Sequence, residues 1–245
     1  MTANFAITDG IAAIVLDDAA RRNALGFDTL ASIAQAVRQA EQVQAGAIVI
    51  SATGPVFSAG ADFNDLTGTS ADIDFDTAVA RATAALRRTH IPVIAAVHGP
   101  CLGAAVDLVL SADVVIASTA ARFEVPAVRL GILYNPEALA VMRGRLNGAM
   151  MRQLMLGISV SATDAAMGGM VARVVDTDEL PGTVDQLVRQ LCAGQRGAFG
   201  ATKELLNQLD VGPVHLDQWT PLRRCLLDTP ERHQAIAARK RPTPS

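Results

Sequence analysis

Cysteine is scarce in this chain. Cys101, Cys192 and Cys225 are the only three in 245 residues, odd in number and widely spaced. They form no C-x-x-C pair, which argues against both a disulfide framework and a zinc site. An excess of positive charge is absent as well. Lys and Arg total 21 against 24 Asp and Glu, for a net charge of −3, whereas a nucleic-acid partner needs a concentrated basic face. Apolar runs such as residues 91–97 fall far short of the ~20 residues of a membrane helix. The first residues, Met1-Thr2-Ala3-Asn4-Phe5, lack the basic segment and long apolar core of a secretory leader. A cytoplasmic globular protein without membrane insertion is expected.

Several catalytic signatures are missing too. There is no G-x-G-x-x-G after a strand, no G-x-x-x-x-G-K-[ST], no H-E-x-x-H and no G-x-S-x-G. Dinucleotide-binding, P-loop, zincin and α/β-hydrolase chemistry therefore lose their main support. The four histidines, His90, His98, His215 and His233, are not at metal-ligand spacing, so capping or packing roles are expected of them and no metal. The chain has no internal repeat and no low-complexity segment. Its tail, Arg239-Lys240-Arg241-Pro242-Thr243-Pro244-Ser245, reads as a solvated end.

What is present is apolar. Half of the residues are hydrophobic, and a chain of this length can bury roughly 70% of its unfolded surface without a metal or disulfide. Residues 5–7 and 11–16 flank Asp9-Gly10, a hairpin signal. Residues 28–43 carry Leu30, Ile33, Val37 and Val43 near helical spacing. Residues 47–50 read as a buried strand, 76–88 as a helix, 92–97 as a second buried strand, 103–110 as a helix and 114–117 as a strand. That alternation predicts an α/β fold with right-handed crossovers and a mostly parallel sheet. After about residue 135 strand signals thin out, apart from 171–175. Leu180, Val184, Leu187, Val188 and Leu191 make one helical stripe, and 202–209 continues in helix. These helices can pack on the sheet or on another subunit.

Two glycine-bearing loops each follow a buried strand. The first reads Ser51-Ala52-Thr53-Gly54-Pro55-Val56-Phe57-Ser58-Ala59-Gly60-Ala61-Asp62-Phe63, the second His98-Gly99-Pro100-Cys101-Leu102-Gly103-Ala104. Ligands of open α/β sheets bind outside the carboxyl ends of the strands. Small residues admit a close backbone, and two facing N–H groups would make an oxyanion hole. Tight strand-to-helix turns would look the same.

These two segments resemble those of the enoyl-CoA hydratase/isomerase (crotonase) superfamily. Arg21-Arg22-Asn23-Ala24-Leu25 is similar to its early R-x-N-A-L segment, and Ser111-Ala112-Asp113 to its C-A/S-D. With residues 123–131 and the helical C-terminus, the likeness spans nearly the whole chain. It implies a ββα superhelix core, residues 1–180, followed by a helical trimerisation region, residues 181–245, in a homotrimer or hexamer. It also implies an acyl-CoA thioester substrate, with coenzyme A as part of that substrate and no other cofactor. The backbone N–H groups of Ala61 and Ala104 would polarise the thioester carbonyl. Asn23, Ala24, Leu25, Ala59, Asp62, Phe63, Pro100, Leu102, Gly103, Pro126, Ala127 and Leu130 would line the path of the substrate.

The chain departs from the hydratase pattern at both acid positions. Relatives that hydrate a double bond use two glutamates. Here Asp107 stands three residues after Ala104, and Ala127 follows Pro126 where the second glutamate belongs. Proton transfer needs reach of ~2.6–3.2 Å, so a side chain one methylene shorter matters, and alanine cannot transfer a proton at all. Leu130-Gly131-Ile132-Leu133-Tyr134-Asn135 resembles the L-G-x-x-Y-N segment of methylmalonyl-CoA decarboxylases of the same superfamily, which carry histidine at the position of Ala61. That likeness gives Tyr134, the only tyrosine, a substrate-positioning role beside Asp107 as acid or base. Three readings stand side by side: an acyl-CoA hydratase, isomerase or decarboxylase; an acyl-CoA-binding protein without chemistry; and a structural protein using its oligomer surface.

Overall fold

The computed structural model describes residues 3–240. Strands β1 (Asn4–Thr8) and β2 (Ile11–Leu16) form an antiparallel hairpin closed by Asp9-Gly10. Helix α1 (Phe27–Gln42), strand β3 (Ala47–Ala52), helix α2 (Ile73–Arg88) and strand β4 (Val93–Val97) follow. Next come β5 (Cys101–Leu102), α3 (Ala104–Leu110), β6 (Val114–Ser118) and β7 (Arg122–Glu124). The remainder runs α4 (Pro136–Arg145), α5 (Gly148–Met155), β8 (Val160–Ser161), α6 (Ala162–Met167), β9 (Arg173–Val175), α7 (Leu180–Cys192), α8 (Arg196–Val211), α9 (Thr220–Leu227) and α10 (Pro230–Lys240).

The main sheet has the order β1-β2-β3-β4-β6-β9, parallel throughout except for the first hairpin. Alternation along its central strands explains the two layers of helix. Val93, Ala95 and Val97 of β4 enter the large core with Leu30, Ile33 and Val37 of α1 and Val79, Ala82 and Leu86 of α2. Ile94 and Ala96 face the other way, where Leu180, Val184 and Val188 of α7 cover them together with Ala47 and Ile116. The stripe expected at 180–191 thus packs on the back of the sheet of its own chain. A second, three-stranded sheet, β5-β7-β8, stands apart. Its strands are two or three residues long, too short to leave a period in the sequence.

Boundaries moved modestly, except that the helix expected at 202–209 runs over Arg196–Val211. The helix expected at 76–88 starts at Ile73, after a one-turn 3-10 segment at Ser70–Asp72. Residues 241–245 of the basic tail lie outside the described residues.

Helix α8 is fastened to the core by a buried cation. The Lys203 ammonium, 4% exposed, donates to Leu86 O at 2.9 Å, Ile91 O at 3.2 Å and Asp113 Oδ2 at 2.8 Å. All three of its protons are matched, which a buried ammonium requires. Asp113 Oδ2 also accepts from Val93 N at 2.7 Å. The two helices that follow, α9 and α10, bury none of their residues. Among the described residues no helix is long and apolar enough to cross a membrane.

Candidate active site

Backbone hydrogen bonds lay the loops side by side. Ser58 N donates to Pro100 O at 3.2 Å and Leu102 N to Ser58 O at 3.0 Å, which joins the first loop to the second. On the other flank Leu25 N donates to Gly60 O at 2.7 Å, Asp62 N to Leu25 O at 3.0 Å and Ala59 N to Arg22 O at 2.9 Å. Gly103 N reaches Glu124 O at 2.8 Å, tying the ribbon to β7. Gly60 has φ +86°, and a Cβ there would lie 2.6 Å from Leu102 O. Only glycine lets the two loops approach this closely.

This pairing decides where the Ala61 N–H is directed. In a parallel bridge one residue bonds to the two neighbours of its partner, so Gly60 O and Asp62 N turn toward Leu25 and Ala61 N turns away. Ala104 is the first residue of α3, where an N–H has no helical partner. Among the described residues, neither the Ala61 nor the Ala104 N–H is donated to a protein acceptor.

The residues named from the sequence divide by what their side chains do. Asn23 is buried and fully engaged: its Oδ1 accepts from Asp18 N at 2.8 Å, and its Nδ2 donates to Thr53 O and Val56 O, each at 2.8 Å. It holds the loop, while Ala24 is half-buried and Leu25 joins the core. Asp62 is buried and accepts from the Arg21 guanidinium and from Asn64 N and Nδ2, each at 3.0 Å. Its neighbour Phe63 is 67% exposed. Ala59, Pro100, Leu102 and Gly103 are half-buried along the ribbon.

One turn into α3, Asp107 is buried, and its Oδ1 has no hydrogen-bond partner. Burial pushes its pKa up to about 6; the nearby Arg87 charge pulls it back and the Asp76 charge adds to the rise. Ala127 sits buried in the 3-10 turn Pro126–Leu130, its carbonyl accepting from Ile132 N at 3.0 Å; Leu130 is exposed on the same turn. Tyr134 packs against the main core. Burial holds its phenol well above the ordinary range, and the Asp107, Asp76 and Cys101 charges add to this. Its hydroxyl makes no hydrogen bond to a described residue. Its neighbour Asn135 instead caps α4, its Oδ1 accepting from Glu137 N and Ala138 N. Arg87 and Asp76 were not singled out from the sequence. Their signal was their spacing, eleven residues apart on one helix and so on one face. No group of three or more His, Cys, Asp or Glu side chains among the described residues is arranged to hold a metal.

Residues 6–220 match the family model described as enoyl-CoA hydratase/isomerase. The chain belongs to that family. Among its curated relatives is the mitochondrial enoyl-CoA hydratase domain-containing protein 3 of Rattus norvegicus, 32% identical over 200 residues, or 80% of this chain and 66% of the rat protein. The chain thus spans about two thirds of that relative. The 2,3-dehydroadipyl-CoA hydratase of Escherichia coli K12 is 28% identical over 229 residues, covering 92% of this chain and 90% of the other. The fold of this hydratase/isomerase family member follows that of solved crotonase-type structures. Enoyl-CoA hydratase of Mycobacterium smegmatis aligns with a TM-score of 0.88 at 24% identity, over 99% of this chain and 98% of the other.

Proposed function

We propose that this family member binds an acyl-CoA thioester along the ribbon of loops, with the Ala61 and Ala104 N–H groups donating to the thioester oxygen. The observation that carries this is the pair of unengaged backbone donors on two loops in contact at Gly60 and Leu102. An enolate or oxyanion gathers its charge on that oxygen. Neutral donors already held in place need little rearrangement, and loss of one typically costs ~10²–10³ in rate. Coenzyme A enters as part of the substrate. Asp107 is the acid or base, its carboxyl being unspent and titrating at about 6, near the working range of such a group.

With a methyl group at Ala127, the second proton-transfer group of a two-glutamate hydratase is lacking, so crotonyl-CoA hydration falls ~10²–10⁴-fold below such an enzyme. Decarboxylation is the second reading, favoured by the unbonded Tyr134 hydroxyl. It requires enolate stabilisation and a site for the departing carboxylate but no glutamate pair. A homotrimer or hexamer completes the proposal. A cytoplasmic location is part of the proposal, whereas the rat and mouse relatives are named mitochondrial; cell fractionation separates the two.

The test is calorimetric binding of butyryl-CoA, alongside turnover of crotonyl-CoA and methylmalonyl-CoA. Butyryl-CoA should bind, and Ala104→Pro, which deletes one donor, should abolish turnover on whichever substrate reacts. If Tyr134 positions a carboxylate, Tyr134→Phe lowers methylmalonyl-CoA turnover and leaves binding intact. Absence of any CoA-thioester binding would overturn the proposal.

A further inference from the structure

Helix α2 packs across α3, and the two ends of one α2 face carry opposite charges, Asp76 and Arg87. Arg87, in the last turn, is half-buried, and its Nη1 donates to Ser111 Oγ at 2.9 Å. Ser111 is buried, and its Oγ donates in turn to Asp107 O at 2.9 Å. A continuous chain of hydrogen bonds therefore links the guanidinium to the backbone of Asp107. The other side of Arg87 lines a cleft of about 760 Å³ between α2, α4 and α8, together with Glu137, Lys203 and Asn207. Lys203 in that cleft is committed to Asp113. Arg145 is committed to Leu110 O, Ala112 O and Asp210. Arg87 is tied to α3 instead, through Ser111.

We propose that Arg87 is a positioning residue for Asp107: through Ser111 it fixes the end of α3 that carries this carboxyl, and it is the charge partner of that carboxyl across the α2–α3 contact. This rests on the reading of Asp107 as the acid or base. The charged and titratable groups around the pair come from every element against it. Asp76 opposes ionisation from α2, Tyr134 stands on the segment before α4, and Cys101 on β5 shares the surroundings of Tyr134. Arg88, Arg145 and Glu137 act on Arg87 itself. Of these, Arg87 is the one that favours the charged form of Asp107. An opposite charge favours the ionised form of a carboxyl.

The experiment is a pH titration of the full chain labelled with ¹³C-aspartate, the Asp107 carboxyl being assigned by its loss in Asp107→Asn. The Asp107 midpoint, about 6 in the unaltered protein, should rise by ~1 pH unit or more in Arg87→Met and return toward its starting value in Arg87→Lys. A midpoint unmoved in Arg87→Met overturns the proposal. If Arg87→Met is too unstable to titrate, Arg87→Gln, which keeps a donor for Ser111 without the charge, takes its place. A raised midpoint there supports the pairing, and an unmoved one overturns it. The pH dependence of kcat separates this inference from the functional one. A midpoint that moves while turnover ignores Asp107→Asn keeps the countercharge and removes the catalytic role. Turnover that needs Asp107 with a midpoint indifferent to Arg87 does the reverse.

Discussion

A carboxyl group enclosed by a core is a cost as well as a tool. Asp107 titrates at about 6, against 3.8 for an ordinary aspartate. Between those two values the unfolded chain has released its proton and the folded chain still holds it. Stability therefore falls as pH rises through roughly 4 to 6, and the full penalty stands above 6. A difference of this size corresponds to about 3 kcal/mol. Asp107→Asn should flatten that slope and gain up to about 3 kcal/mol at pH 7, while lowering any turnover that uses the carboxyl; urea melts at pH 4 and 7 check the first part. If the two proteins keep the same stability difference at both pH values, the carboxyl is not carrying the burial cost. The position of Asp107 could be read from the sequence through the family resemblance, since it stands three residues after Ala104, where hydratases of that family carry a glutamate. The role of Asn23 could not. Its three hydrogen bonds run to Asp18, Thr53 and Val56, two of them thirty or more residues away, and no local pattern encodes such partners.

Helices with one buried face and strands that cross the main sheet were legible, because such burial imposes a period; α4 and α10, which carry no such stripe, were not singled out. Helix α1 and strands β3, β4 and β6 fall within a residue or two of their expected places. The small β5-β7-β8 sheet was not, since its strands are defined only by what they pair with. It nevertheless helps hold the second loop, through Gly103 N to Glu124 O. The contact between the loops is the most sensitive point of the site. Gly60→Ala places a methyl against Leu102 O in a left-handed conformation, and the loops must part to admit it. A loss of about 2 kcal/mol or more is expected in urea unfolding, with weaker butyryl-CoA binding in the same variant. Unchanged stability and binding would mean that the two loops do not need this closeness.

At the scale of the whole molecule, burial is uneven. The sheet and its covering helices enclose two cores, whereas no residue of α9 or α10 is fully buried and Leu222 of α9 stays exposed, as does Leu216 in the turn before it. Light scattering at micromolar concentration should give three or six times the 25.6 kDa chain mass; a monomer would remove the proposed assembly. Lys203 is the other large-scale feature. Lys203→Met leaves the Asp113 carboxylate without its cation and two carbonyls without a donor, at a cost of ~3–5 kcal/mol. Lys203→Met combined with Asp113→Asn should recover much of that loss, and thermal melts of the two variants compare them directly.

That lysine also sets an order of events during synthesis. Leu86, Ile91 and Asp113 leave the ribosome about ninety residues or more before the group that satisfies them. The nascent sheet can pair its strands in that interval, but the turn between α2 and β4 stays unlocked until α8 has cleared the exit tunnel. A chain arrested before residue 203 should therefore remain open to protease at that turn, and a few dozen more residues of translation should close it.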